Sequence, residues 1–159
     1  MSNGGERGIE DYVPPRKPPD EPPPGMGASG SLDGECGRFL RNDVGNAERL
    51  IARHGEDLVY VREVGWLAWD GRRWSRDDGE RQAQLRAQET SKSIFAEAVA
   101  LEKDKGGGWA DKHRKFARKS GDTGKINAMA REAAPHLTQP GDALDAYALL
   151  FNVANGTLD

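Results

Sequence analysis

Residues 57–75 read DLVYVREVGWLAWDGRRWS, and how this stretch is read decides the fold. Leu58–Val61 is rich in β-branched and aromatic residues. Trp66–Trp69 is a second short apolar run, and Asp70-Gly71 is a hairpin signal leading into Arg72–Trp74. The expectation is a three-stranded antiparallel meander. A two-residue turn at Asp70-Gly71 sets Trp69 opposite Arg72 and Leu67 opposite Trp74 on one face, with Trp66 and Arg73 on the other. Three tryptophans beside two arginines admit two readings. Trp69 and Trp74 read as packing residues laid on a helix. Trp66 with Arg73, on the opposite face, could stack on an unpaired base and hold a phosphate.

The flanking segments have helical period. Upstream, Asp43 is positioned to cap a helix in which Val44, Ala47, Leu50, Ile51 and His54 share a face, and Gly55 stops it. Downstream, Gly79–Lys103 is the longest helix. Its stripe is Ala87, Ser91, Ile94, Ala98 and Leu101, with Phe95 and Val99 beside it. The run KDKGGG ends that helix. A second helix turns Trp109, His113, Phe116 and Ala117 inward. A third, capped by Asp122, turns Ile126, Met129, Ala130 and Ala133 inward and ends near Pro135. Leu149–Val153 reads as a strand and Asn155-Gly156 as a hairpin turn, so the last hairpin is incomplete. The fold class is therefore α+β and mostly helical: a leading helix, a meander, three helices and a terminal half-hairpin.

Residues 1–37 differ from the rest. VPPRKPPDEPPPG is Pro-rich and GMGASGSLDGECG is Gly/Ser-rich, so this stretch reads as a disordered tail, with order beginning near Phe39. Its PxxP pattern is conceivable as a ligand of an SH3-like domain, but a solvated linker is the favoured reading, since Pro-rich tethers are common and nothing else in the chain implies such a reader.

Composition narrows the function. The chain has 159 residues with 23 basic and 26 acidic side chains, net −3, which excludes a generally basic nucleic-acid coat. The positive charge is local instead: Lys105–Lys125 carries seven basic residues against Asp111 and Asp122. Within it, KHRKFARK (Lys112–Lys119) puts Lys112, Lys115 and Lys119 on one helical face and stacks Arg114 with Arg118 at i, i+4. Such a face is either a solvated surface or a polyanion site. If it holds DNA, the residues are Lys112, Lys115, Arg118 and Lys119, with Arg72, Arg73 and Trp66 second. One cysteine, Cys36, makes no intramolecular disulfide, and three dispersed histidines make no short metal motif. No apolar run approaches the ~18–20 residues of a membrane span, and the N-terminus lacks a signal-peptide pattern. The expected setting is cytoplasmic, with no membrane partner. GDTGKIN (Gly121–Asn127) fails as a phosphate loop, because Lys119 stands where its first glycine belongs and Ile126 where the magnesium-binding Ser/Thr belongs. Asp77-Asp78 and Asp142 with Asp145 fit turn and cap roles, and no nucleophile signature appears.

The order of three motifs resembles a known family. GNAERLIARHG (Gly45–Gly55), WLAWDGRRW (Trp66–Trp74) and FNVANGTLD (Phe151–Asp159) follow one another as in the phage and plasmid primase–helicase family, in the module ahead of its superfamily-three helicase domain. The resemblance spans roughly residues 40–159, and residues 38–159 are read as one module. It implies a non-catalytic module of a phage, prophage or plasmid DNA replication protein. That module would assist the positioning of single-stranded or forked DNA, or ring self-association, in an ATP-dependent helicase. It further implies that the chain is truncated at its C-terminus. ATP and magnesium would belong to the helicase domain, since this chain has no Walker motif, and no cofactor is expected here. The alternative is a stand-alone protein-interaction module, or a truncated relic without DNA binding.

Overall fold

The computed structural model describes residues 31–140. The Pro-rich tail before residue 31, Asp142, Asp145, and the closing strand and Asn155-Gly156 turn lie outside the described residues. The architecture is α+β and mostly helical, with one antiparallel sheet of order β1-β2-β3. The chain runs α1 (Leu32–Cys36), α2 (Asp43–His54), β1 (Leu58–Val61), β2 (Gly65–Trp69), β3 (Trp74–Ser75), α3 (Gly79–Lys105), α4 (Gly107–Ser120) and α5 (Thr123–Ala133). A 3-10 turn, Ala134–Leu137, follows.

Order begins earlier than composition suggests. The short helix α1 falls inside the stretch read as a tail, because Ser31 caps it, its Oγ accepting from the Gly34 N–H at 3.2 Å. Cys36, at its end, is wholly buried. The cap of α2 is Asn42, whose Oδ1 accepts from the Gly45 N–H at 2.8 Å. Asp43 is instead the first helical residue and forms an ion pair with Lys125 of α5 at 3.0 Å. The inward face of α2 is also rotated from the expected one. Val44 is 52% exposed, while Asn46 and Arg49 are buried beside Ala47 and Leu50.

The meander forms with a longer turn than expected. Trp69 pairs with Trp74, so Asp70–Arg73 make the connection and the register moves by two residues. The Asp70 carboxylate explains this. It accepts from the N–H groups of Arg72 and Arg73, each at 2.9 Å, while the Asp70 N–H donates to the Arg73 carbonyl at 3.0 Å. Gly71, at φ +96°, supplies the left-handed residue this turn requires. A shift of two preserves the faces.

The sheet buries both faces of β2. On one face Leu58, Trp66 and Ala68 join Ala47, Leu50, Ala83, Ala87, Ile126, Met129 and Ala133 in the main core. On the other, Val59, Val61 and Leu67 gather with Trp74. The tryptophan laid against the helices is thus Trp66, and Trp69 meets Trp74 edge to face at 5.5 Å. The first turn of α3 lies so close to β2 that a β-carbon on Gly79 would collide with the Trp66 carbonyl oxygen. The stripe Ala87, Ser91, Ile94, Ala98 and Leu101 is buried as its period predicts, while Phe95 and Val99 are exposed. After α5 the chain returns to the sheet. Thr138 bridges Tyr60 in parallel, and the Gln139 N–H donates to the Tyr60 carbonyl at 2.8 Å, covering the outer edge of β1.

Candidate nucleic-acid interface

Gly106, at φ +83°, turns the chain back so that α4 packs along the second half of α3. Ala110, His113, Ala117 and Ser120 form its buried stripe, at spacings of three and four. That burial fixes what faces outward. Lys112, Lys115, Arg118 and Lys119 are all exposed, and none makes an ion pair among the described residues. Arg114 differs. It is half-buried and bonded to Glu102 of α3 at 2.8 Å and to Asp111 at 3.1 Å. Arg114 therefore anchors α4 while the other four cations stay open to solvent. Lys112 and Lys119 stand seven positions apart, about 10 Å along the helix, with Lys115 between them.

The second group of expected site residues lies elsewhere. Arg72 and Arg73 are exposed on the β2–β3 turn, with Arg73 Nε 3.6 Å from Asp70. The sheet rests on the first turns of α3, near Ala83, whereas α4 is joined to it at Glu97 and Glu102. Ala83 and Glu97 stand fourteen positions apart, about 20 Å along the helix axis. Trp66 is only 5% exposed, with its ring edge to face with Tyr60 at 5.3 Å. It is a residue of the main core, largely withdrawn from solvent. The fold brings the four α4 cations together and leaves Arg72, Arg73 and Trp66 apart from them.

Beneath the basic face lies a buried ionic cluster that periodicity did not disclose. Glu97 of α3 is fully buried. Its carboxylate accepts from Arg49 Nε at 2.9 and 3.2 Å and from His113 Nε2 at 2.8 Å. Arg53 reaches the same carboxylate at 3.3 Å and Asp33 of α1 at 2.7 Å. The remaining Arg49 nitrogens donate to the carbonyls of Leu40 at 2.8 Å and Phe39 at 3.2 Å. Burial alone would raise the Glu97 carboxyl. The His113 hydrogen bond, with the charge and hydrogen bond of Arg49, outweighs it and holds the group below its ordinary range. Nearby, Asn46 Nδ2 donates to Ser120 Oγ at 3.1 Å. One carboxylate thus locks α1, α2, α3 and α4 together and sets the roll of α4 about its axis. Two signals in the sequence mark the cluster. Glu97 sits in the core stripe, three residues after Ile94 and four before Leu101, and Asn46, Arg49 and Arg53 repeat at i, i+3, i+7.

An aromatic column also runs up from this cluster. Trp109 stacks on His113, with centroids 4.5 Å apart and planes 14° from parallel. The Arg41 guanidinium lies 5.4 Å over the indole centroid. Deeper in, Phe116 lies 5.8 Å from His113 and is covered by Arg49 at 5.4 Å.

No helix among the described residues is long and apolar enough to cross a membrane. A family model described as "D5 N terminal like" matches residues 47–159. No curated protein and no solved structure matches the chain.

Proposed function

We infer the function from one premise: this chain belongs to the D5 N terminal like family, the module N-terminal to the superfamily-three helicase domain in phage and plasmid primase–helicase proteins. The proposed role is to hold the phosphate backbone of single-stranded or forked DNA on the outer face of α4, and so to position DNA for an ATP-dependent helicase. One observation carries this reading. Four exposed cations, Lys112, Lys115, Arg118 and Lys119, share a helix whose orientation is fixed from beneath by Glu97 and His113. Like charges held on one short helix repel, and a polyanion relieves that repulsion. A fixed helix also loses little entropy on binding. Ring self-association, and ATP with magnesium at a helicase domain, belong to the same proposal and rest on family membership alone.

The test is a fluorescence anisotropy titration of a labelled single strand at several salt concentrations. If all four cations meet phosphates, log affinity falls with log salt at a slope of about −0.7 per phosphate, near −3 for the set. The Lys115→Glu, Lys119→Glu double variant should bind more weakly and flatten that slope by about 1.4. Unchanged affinity and slope in the double variant would remove α4 from the DNA path.

A further inference from the structure

The aromatic that stands beside the basic helix is Trp109 rather than any tryptophan of the sheet. Its inner face is fixed: it lies flat on His113, whose Nε2 is held by the buried Glu97 carboxylate at 2.8 Å. Over the indole, 5.4 Å from its centroid, lies the guanidinium of Arg41, an exposed residue of the segment between α1 and α2. Lys112 follows Trp109 by three residues, so it rises about 4.5 Å along the helix and lies on an adjoining part of the surface. The row of exposed cations therefore begins next to an indole that is stacked on His113 and overlain by a planar guanidinium.

We propose that Trp109 and Arg41 form a nucleobase subsite, taking one unpaired base of a single strand between the indole and the guanidinium while Lys112 holds the adjacent phosphate. The inference rests on the reading of α4 as a DNA-backbone surface and adds the class of ligand that the surface prefers. Indole and guanidinium are both planar, so a base entering between them stacks on each. Every base has a π-face, so the subsite tolerates any sequence. A base paired inside a duplex has no free face, so the subsite selects unpaired strand over duplex. The support beneath Trp109 makes the platform rigid before binding. His113 cannot turn away without breaking its bond to Glu97, which also holds Arg49 and Arg53.

The experiment compares an oligothymidine with an abasic strand of the same length and phosphate count, each labelled and titrated with the full chain by anisotropy at low salt. The wild-type chain should bind the oligothymidine more tightly by about fivefold or more, the lower end of what one base stack contributes. Arg41→Lys keeps the charge and removes the planar guanidinium. It should reduce that ratio towards one while leaving affinity for the abasic strand unchanged. Arg41 is exposed, so the variant is expected to fold, and circular dichroism confirms this. Equal wild-type affinity for the two strands, or an unchanged ratio in Arg41→Lys, overturns the subsite. If both strands bind equally and both are weakened by Lys115→Glu, Lys119→Glu, the subsite alone fails and the backbone reading stands. If neither strand binds, both fail.

Discussion

The Nε of Arg49 lies 2.9 Å from Oε2 of Glu97, and both side chains are wholly excluded from solvent. Two charges in that position lose their hydration on folding. The arrangement holds because the carboxylate is ringed by donors: His113 and Arg53 donate to it beside Arg49, and the Leu40 and Phe39 carbonyls each accept from a terminal Arg49 nitrogen.

Removing one member of this cluster should therefore be severe. Glu97→Gln leaves Arg49 and Arg53 facing a neutral group in the core and should reduce unfolding free energy by about 3–5 kcal/mol. Chemical denaturation measures it, and a loss under about 1 kcal/mol would show that the carboxylate is not the hub. Arg49→Met combined with Glu97→Gln should lose less than the sum of the two single changes, because the residues touch.

The same cluster gives stability a pH dependence of defined sign. The folded Glu97 carboxyl titrates below its ordinary value of 4.5. The unfolded chain therefore binds its proton first as pH falls. The contribution of Glu97 is complete above that value and is lost as pH falls through the lower, folded one. His54 acts in the same direction at higher pH. Burial, then the nearby Arg86 charge, lowers its pKa below 6.5, outweighing Glu89 and Asp57, which act oppositely. Stability present above pH 6.5 should begin to fall below it. Thermal melts from pH 8 to 4 should show two declines, with the upper one absent in His54→Gln. A flat profile down to about pH 5 in the parent chain would contradict the His54 assignment.

Two glycines in helices should respond oppositely to alanine. Gly79→Ala drives a β-carbon into the Trp66 carbonyl and should separate α3 from β2, with a large drop in melting temperature. Gly108, inside α4, has open space where a β-carbon would go. Gly108→Ala should raise stability by about 0.5–1 kcal/mol through helix propensity. Equal responses at the two positions would refute the close approach of α3 to the sheet.

Exposure along α3 yields a fourth outcome. Ile94 is fully buried and Ile94→Ala should cost about 2–5 kcal/mol. Val99 is 67% exposed, and Val99→Ser should change stability by less than about 0.5 kcal/mol. A Val99→Ser loss comparable with that of Ile94→Ala would place α3 in a different rotation about its axis.

Much of this was legible from one chain. The β-rich runs around Tyr60 and Leu67 and the three-four spacing of Ala87, Ile94 and Leu101 specify the α+β class, because period alone separates strand from helix. The exposure of the four α4 cations was legible as well, since His113 and Ala117 claim the opposite side of that helix, whereas Trp109 and Phe116, also expected inward, are only half-buried. The expected turn register was wrong by two residues because the Asp70 side chain, rather than the Asp-Gly dipeptide backbone, closes the connection. Val44 and Phe95 were misplaced because an apolar residue beside a stripe can face either the core or water, and the period does not choose.

The amino-acid order by itself determined the helices from α2 to α5, the meander, the core stripe of α3 and where positive charge concentrates, since each depends on neighbours within a few positions. Tertiary structure alone decided that Trp66 belongs to the core, that Glu97 is an ionised residue of the interior, and that Arg41 lies over Trp109. Those outcomes depend on partners far along the chain: Ala83 and Met129 for Trp66, Arg49 and His113 for Glu97, and a segment between two earlier helices for Trp109. A buried charge is tolerated only when such partners arrive together, and although the core-stripe position of Glu97 hints at the cluster, only the fold brings Arg49 and His113 to it.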